Sequence, residues 1–79
     1  MQTKVEYQGR YYKFDTKKYP WIAMDSDGCV YAYGSRPTMS EEITGYIPSE
    51  HGKGLALLDR LSPKQIKLDW KGSICRVGF

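Results

Sequence analysis

The side chains best suited to chemistry are one histidine and a pair of adjacent glutamates. His51 lies in a glycine-rich segment, and Glu41 and Glu42 follow Ser40. Nucleophilic catalysis needs a serine or cysteine beside a histidine that an acid orients, and no motif in this chain places such residues together. The two glutamates are typical of a charged loop or a helix start rather than of a general acid and base. We therefore predict that the protein is not an enzyme and has neither catalytic residues nor a cofactor.

Two short motifs share features with ligand-binding loops. The segment 25–28, Asp-Ser-Asp-Gly, begins like a calcium loop but lacks the third acidic residue and the closing glutamate. The segment 51–54, His-Gly-Lys-Gly, has the Gly-Lys pair of a phosphate loop but not its earlier glycine or its Ser or Thr. We predict a turn at the first segment, a surface loop at the second, and no metal site.

Aromatic and basic residues lie next to each other near the start of the chain. If residues 5–14 form a hairpin, Tyr11 shares its polar face with Lys4 and Lys13. An exposed aromatic ring can stack on a base while neighbouring lysines attract its phosphate. The candidate residues of such a nucleic-acid interface are Lys4, Tyr11, Lys13, Lys17 and Lys18.

The element that positions these residues is a hairpin at the start of the chain. Residues 5–7 and 10–14 are rich in aromatic and β-branched side chains and flank the two-residue turn Gln8-Gly9. With this turn, one face of the hairpin is apolar and the other polar, as a half-buried sheet requires. The apolar face carries Val5, Tyr7, Tyr12 and Phe14, and the polar face carries Lys4, Glu6, Tyr11 and Lys13.

A second hairpin is predicted for residues 21–33, with its turn at 25–28. Asp and Ser favour a type I turn there, and Gly28 supplies the positive φ of a following bulge. A three-residue loop pairs Met24 with Val30, whereas a two-residue loop shifts the pairing, and both registers stay open. Both faces are apolar or aromatic, so this strand pair belongs in the middle of a sheet or offers one face as a sticky surface.

The second half of the chain is interrupted by glycines and prolines. Residues 43–47 predict a short strand, and apolar residues at helical spacing predict a two-turn helix over 55–61. Residues 62–65 fit a capping box with proline at the first helical position. However, the alternation of apolar and charged residues up to Trp70 favours a strand over a helix for 62–70, followed by a turn and a last strand at 74–77.

These elements predict a mainly β fold, a small antiparallel sheet or partly open barrel built of hairpins, with at most one short helix. The 79 residues accommodate a single domain, residues 1–79, and exclude a multidomain enzyme. Hydrophobic residues make up 41% and charged residues 27%, which excludes a disordered chain. The predicted core consists of Trp21, Ile22, Met24, Val30, Leu58, Leu61, Ile66, Leu68, Trp70 and Ile74.

The net charge of +3 combines basic ends with an acidic middle. Residues 4–18 hold five basic and two acidic side chains, residues 60–76 five and one, and residues 25–59 two and six. If the two ends meet in one sheet, the protein has a basic side and an acidic side. No signal peptide or apolar stretch of about 18 residues is present, and two cysteines are too few for a disulfide framework. We predict free thiols, a cytoplasmic protein and no contact with a membrane.

Two segments resemble a pattern in small, mostly uncharacterised bacteriophage proteins. Residues 21–33, followed by Pro37, are similar to W-I-A-x-D-x-D-G-x-V-Y-A-Y with a proline soon after. Residues 69–74 resemble the D-W-x-x-S-L segment in which many of these proteins end, with Ile74 in place of leucine. The family often has a tryptophan in its middle region, where this chain has Tyr46. The resemblance implies a phage or prophage accessory protein in the cytoplasm of a bacterial host cell, and it brings no catalytic residues.

The leading functional hypothesis is a non-enzymatic protein-binding module. The resemblance makes an inhibitor of a host or anti-phage defence protein, acting by steric occlusion, its most concrete form. The candidate contacts are Tyr31, Tyr33 and Arg36, because aromatic residues and arginine anchor interfaces. A homodimer is a further expectation, since a second copy would cover an aromatic face. The alternatives are a β-rich nucleic-acid-binding protein that uses the basic ends, and a virion or assembly component.

Overall fold

The computed structural model describes residues 2–49 and 54–78, which form eight strands and one short 3₁₀ turn at Trp70–Gly72. The strands are β1 (Thr3–Tyr7), β2 (Arg10–Phe14), β3 (Trp21–Met24), β4 (Cys29–Tyr33), β5 (Thr38–Ser40), β6 (Gly45–Ile47), β7 (Leu55–Arg60) and β8 (Cys75–Arg76). They make three antiparallel sheets with the orders β1-β2, β7-β4-β3-β8 and β5-β6. The prediction of a small, mainly β fold is confirmed, and within the described residues no sheet closes into a barrel.

Both predicted hairpins form in a register that the sequence indicated. Val5 pairs with Tyr12 across the first turn, where Gln8 and Gly9 have φ values of 52° and 77°. Positive φ at both turn residues is the requirement of a type I′ turn. In the second hairpin the pairs are those of the three-residue loop: Trp21 with Tyr33, Ile22 with Ala32, Ala23 with Tyr31 and Met24 with Val30.

The four-stranded sheet lies between the two smaller hairpins, so both of its faces contribute to a core. On one face the β1–β2 hairpin packs against the central strands, and on the other Tyr46 of β6 packs against Ala23 and Tyr33. The first cluster buries Val5, Tyr7, Phe14, Ile22, Met24, Val30, Ala32 and Leu61. This arrangement explains why β3 and β4 are apolar on both sides.

The predicted core is confirmed in its centre and wrong at one residue. Four predicted residues are buried, namely Ile22, Met24, Val30 and Leu61. Five are partly buried and pack against the two clusters, namely Trp21, Leu58, Ile66, Trp70 and Ile74. Leu68 is 45% exposed, because the segment that carries it does not join a sheet.

The predicted helix over 55–61 is wrong, since Leu55–Arg60 is strand β7 beside β4. A seven-residue helix is marginal by itself, whereas pairing with β4 satisfies the backbone of both strands. The apolar residues of this segment fall at helical spacing because the strand contains a bulge. The register shifts between Val30 and Tyr31, which pair with Asp59 and Leu57 and leave Leu58 as the extra residue of a bulge.

Strand β7 is also tied to the first hairpin through Asp59. Its Oδ2 accepts a hydrogen bond from the Tyr12 hydroxyl at 2.9 Å and one from Arg10 Nε at 3.2 Å. Burial and this contact with Asp59 raise the pKa of Tyr12 to about 12. The bulge therefore turns a charged residue towards the β1–β2 hairpin and fixes the end of β7 there.

The preferred strand over 62–70 is also wrong, and so is the alternative helix. Residues 63–65 form a turn in which the Ser62 backbone N–H donates to Gln65 Oε1 at 2.9 Å and the Gln65 N–H donates to the Ser62 carbonyl at 2.9 Å. The first is one of the two contacts of a capping box, whereas the second goes to the backbone carbonyl of Ser62 and not to its hydroxyl, and no helix follows. The free edge of β3 is occupied by β8 instead, where Ile22 pairs with Cys75.

The tail is held to the central sheet by one buried hydroxyl. Ser73 is buried, and its Oγ accepts a hydrogen bond from the Met24 backbone N–H at 2.9 Å. The same hydroxyl lies 2.7 Å from the carbonyl oxygen of Trp70 and 3.0 Å from that of Met24, and it can donate to either. Tyr7 donates to the Ser73 carbonyl from the opposite layer. Ser73 thus replaces a strand partner where β8 no longer reaches β3.

Three further sequence predictions meet different outcomes. The short strand at 43–47 is confirmed only for Gly45–Ile47, since Thr44 has a φ of 52° and belongs to the turn before it. The basic ends do not meet in one sheet, because β1 and β2 form their own sheet apart from β8. The surface loop predicted at 51–54 lies outside the described residues except for Gly54. No helix in the described ranges is long and apolar enough to cross a membrane.

Candidate functional site

One face of the four-stranded sheet is left partly uncovered at strand β7. Leu55 and Leu57 pair with Tyr33 and Tyr31, so these four side chains project from the same face. Leu55 is 43% exposed and Leu57 is 46% exposed, while Tyr31 is half-buried. We call the two exposed leucines and the half-buried Tyr31 beside them the open strip. Within the described residues, no strand pairs with the outer edge of β7.

The open strip remains uncovered because the β5–β6 hairpin lies over β3 rather than over β7. A hydrogen bond of 2.9 Å from the Tyr46 backbone N–H to Asp25 Oδ1 holds this hairpin in place. Tyr46 is buried. Its hydroxyl oxygen lies 3.1 Å from the carbonyl oxygens of both Trp70 and Lys71, and it can donate to either. Its ring also packs edge-on against Trp70, with the ring centres 6.1 Å apart. The hairpin is therefore anchored on the same face of the sheet as the strip, but over β3 and not over β7.

The three residues predicted as partner contacts occupy different environments. Tyr31 belongs to the open strip, and its ring centre lies 6.2 Å from that of Tyr33. Tyr33 is only 2% exposed, so its side chain mainly supports Tyr31 and reaches the surface only at the wall of a cleft. Arg36 is exposed, with its guanidinium 5.1 Å from the ring centre of Trp21, away from the strip. The structure brings Tyr31 and Tyr33 together and leaves Arg36 at a separate site.

Next to the open strip is a cleft of about 190 Å³, which we call the tyrosine cleft. Its walls are Asp25, Tyr31, Tyr33, Tyr46 and Leu55. Burial raises the pKa of Tyr33, and the negative charge of Asp25 raises it further. Burial and the charge of Asp27 also raise the pKa of Asp25, against the hydrogen bond from Tyr46 that lowers it. The cleft therefore has aromatic walls and a negative electrostatic potential.

A larger cleft of about 370 Å³ opens on the other side of Tyr46, and we call it the basic cleft. Arg36 and Lys71 line it together with the hydroxyl-bearing residues Thr38 and Ser49. Lys71 is paired with Glu41 at 3.3 Å, and both side chains are exposed to solvent. Because its lysine already has a counter-ion, this cleft has less unbalanced charge than its lining suggests.

The residues predicted to contact nucleic acid are only partly brought together. Lys4 and Lys13 are direct cross-strand partners on the outer face of the first hairpin. Tyr11 lies on the same face and is 62% exposed, but Lys4 Nζ lies 4.5 Å from its ring centre. Lys17 and Lys18 follow in the turn after β2, where their backbone N–H groups donate to Asp15. This face holds one exposed ring that is already in contact with a lysine of the chain.

Sequence reasoning missed three residues of the site, and each for a clear reason. Leu55 and Leu57 lie in the segment whose apolar spacing predicts a helix, and because Ala56 between them is also apolar, no alternation indicates the strand. Asp25 was assigned to a turn alone, because its contact with Tyr46 spans 21 positions and leaves no local signal. In the described residues, no group of three or more His, Cys, Asp or Glu side chains could hold a metal ion.

The geometry defines this chain as a small, layered β domain with an apolar strip on an edge strand. Comparisons with family models, with curated proteins and with solved structures return no match to the chain. Function is therefore argued from the site, because a fold by itself does not determine what a protein binds.

Proposed function

We propose that this chain is a non-enzymatic protein-binding module that acts through the open strip. The observation that carries the proposal is the exposure of Leu55 and Leu57 beside Tyr31 on an edge strand. Exposed apolar side chains are common singly, but contiguous ones on a sheet edge are typical of interaction sites. The outer edge of β7 adds backbone donors and acceptors that an extended partner segment can pair with.

In its concrete form, the module is an accessory protein of phage type that inhibits a host or anti-phage defence protein. The resemblance of residues 21–33 and 69–74 to small bacteriophage proteins supports this form, and it implies the cytoplasm of a bacterial host cell as the place of action. A rigid domain that binds through one sheet edge blocks whatever working surface it covers. Inhibition by steric occlusion therefore needs no catalytic residue.

The first test compares two glutamate substitutions at leucines of nearly equal exposure. Leu57→Glu places a charge in the open strip, while Leu68→Glu places the same charge on a loop outside it. We expect Leu57→Glu to weaken binding by at least about 2 kcal/mol, or roughly thirtyfold, as at an interface hot spot. Both variants and the unchanged chain are used as bait in a bacterial lysate, and the captured protein is then titrated with each.

Three results separate the interpretations. Capture that is lost with Leu57→Glu and retained with Leu68→Glu supports the open strip as the interface. Equal capture by all three baits contradicts this assignment, because a charge placed in an apolar interface must weaken binding. If both variants lose capture while circular dichroism shows both to be folded, binding is non-specific adsorption to apolar surface and not recognition at a specific site.

A second candidate function is nucleic-acid binding through the outer face of the first hairpin. The observation that favours it is the grouping of Lys4, Tyr11 and Lys13 on one exposed face. Such binding weakens steeply as salt rises, because each neutralised phosphate releases counterions. We expect Lys13→Glu to lower the affinity for single-stranded DNA or RNA and to reduce the salt dependence. If the unchanged chain shows no binding in a low-salt fluorescence anisotropy titration, this candidate is excluded.

A further inference from the structure

The tyrosine cleft combines a carboxylate with aromatic rings at the end of the open strip. Asp25, Tyr31, Tyr33 and Tyr46 line it, and Leu55 closes the side next to β7. Its volume of about 190 Å³ corresponds to roughly six water molecules at ~30 Å³ each. That size fits the polar end of a side chain and is too small for a nucleotide.

Only one of the two carboxylate oxygens of Asp25 accepts a hydrogen bond within the described residues. Oδ1 accepts the hydrogen bond from the Tyr46 backbone N–H, while Oδ2 has no hydrogen-bond donor there. No lysine or arginine of the described residues forms an ion pair with Asp25, whereas Asp59 and Glu41 both have such a partner. A partly buried carboxylate without a counter-ion is stabilised by a cation that enters the same cleft.

The rings add to this preference. An aromatic ring carries negative charge density on its face and attracts ammonium and guanidinium groups. The rings of Tyr31 and Tyr33 are inclined at 53° to each other with their centres 6.2 Å apart, so they form a corner and not a flat stack. These two rings and the carboxylate of Asp25 line the same cleft, so a cation bound there lies close to both aromatic and negatively charged groups.

We propose that the tyrosine cleft binds a single ammonium or guanidinium group, presented by a lysine or arginine side chain of the protein partner. The identity of the macromolecule rests on the proposed function, while the chemistry of the cleft does not. An apolar segment of the partner lies on Tyr31, Leu55 and Leu57, and its basic side chain enters the cleft beside them. Charge complementarity then fixes the position of the segment along the strip.

The test uses a small cationic probe, so that it does not depend on knowing the partner. The methylamide of N-acetyl-lysine is titrated into the protein while the ring resonances of Tyr31, Tyr33 and Tyr46 are followed by NMR. The matched probe is the same compound acetylated at Nε, which has the same stem and no charge. We expect saturable shifts for the charged probe with a dissociation constant on the order of millimolar, and at least tenfold weaker binding of the neutral one.

Two charge-removing substitutions locate the effect. Asp25→Asn keeps an oxygen that accepts the Tyr46 hydrogen bond, and we expect it to weaken binding of the charged probe about tenfold. Asp27→Asn removes the same charge from a neighbouring exposed residue that does not line the cleft, and we expect a change of less than about twofold. Equal weakening by both variants, or shifts that do not saturate, would overturn the assignment.

The results also separate this inference from the proposed function. If the lysine probe binds in the cleft but Leu57→Glu leaves protein capture unchanged, the cation site stands and the open strip fails. If Leu57→Glu abolishes capture while neither the lysine probe nor an arginine probe binds the cleft, the inference fails and the proposed function stands.

Discussion

Replacing Gly28 with alanine is expected to destabilise the domain strongly, although the substitution adds only one carbon atom. Gly28 has a φ of 91°, and a Cβ at this position would lie 2.3 Å from the carbonyl oxygen of Leu61. The Leu61 backbone N–H donates to the Gly28 carbonyl at 2.9 Å. The two backbones are therefore in direct contact, and neither can move away without breaking this hydrogen bond. The left-handed conformation costs alanine about 1–2 kcal/mol, and loss of this contact adds a similar amount.

The total of about 2–4 kcal/mol is a large fraction of the stability of a small domain. Chemical denaturation followed by tryptophan fluorescence measures it directly. The matched control is Gly9→Ala, because Gly9 also has a positive φ but nothing lies within 4 Å of its Cβ position. We expect a loss of only about 1 kcal/mol there. Similar losses at both glycines would show that the close approach to Leu61 is not as described.

Replacing Ser73 with alanine is the second large expected effect. The substitution removes the acceptor for the Met24 backbone N–H at a buried position and the donor to the Met24 or Trp70 carbonyl. A buried donor without a partner costs about 1–3 kcal/mol. We expect a loss of roughly 2–3 kcal/mol, which for a domain of this size lowers the melting temperature by about 10–15 °C.

The control for this substitution is Ser26→Ala. Ser26 is exposed, and its hydroxyl donates to Thr44 Oγ1 at 2.8 Å, a contact that water can replace. We expect a change within about 0.5 kcal/mol. A Ser73→Ala variant as stable as Ser26→Ala in differential scanning calorimetry would contradict the role of Ser73 as a partner for β3.

These two substitutions test the scaffold and not the binding surface. Residues 21–33 and 69–74 meet where the hydroxyl of Ser73 contacts Met24. Asp25, Gly28, Trp70 and Ser73 all lie in these segments and make structural contacts. The open strip takes only Tyr31 from them, while Leu55 and Leu57 belong to neither. The proposed interface therefore lies mostly outside these two segments.

The sequence by itself determined the two hairpins of the first half. Their turns depend on residues within four positions of each other, and Gly9 and Gly28 have the positive φ values that their turns require. The alternation of apolar and polar residues sets the register of the first hairpin, which puts Val5 and Phe14 in the core. These signals come from residues that are close together in the sequence, so they do not depend on how the rest of the chain packs. The second hairpin is apolar on both faces and has no such alternation, so only the structure decided between its two registers.

Only the tertiary structure decided the second half and, with it, the site. Residues 55–61 have apolar side chains that fit a helix or a bulged strand, and the free edge of β4 selects the strand. Ser73 and Asp25 act on residues 49 and 21 positions away, and no spacing in the sequence reports such contacts. The open strip exists because the β5–β6 hairpin is anchored over β3. What a sheet leaves uncovered depends on where every other element packs, and that is a property of the whole fold.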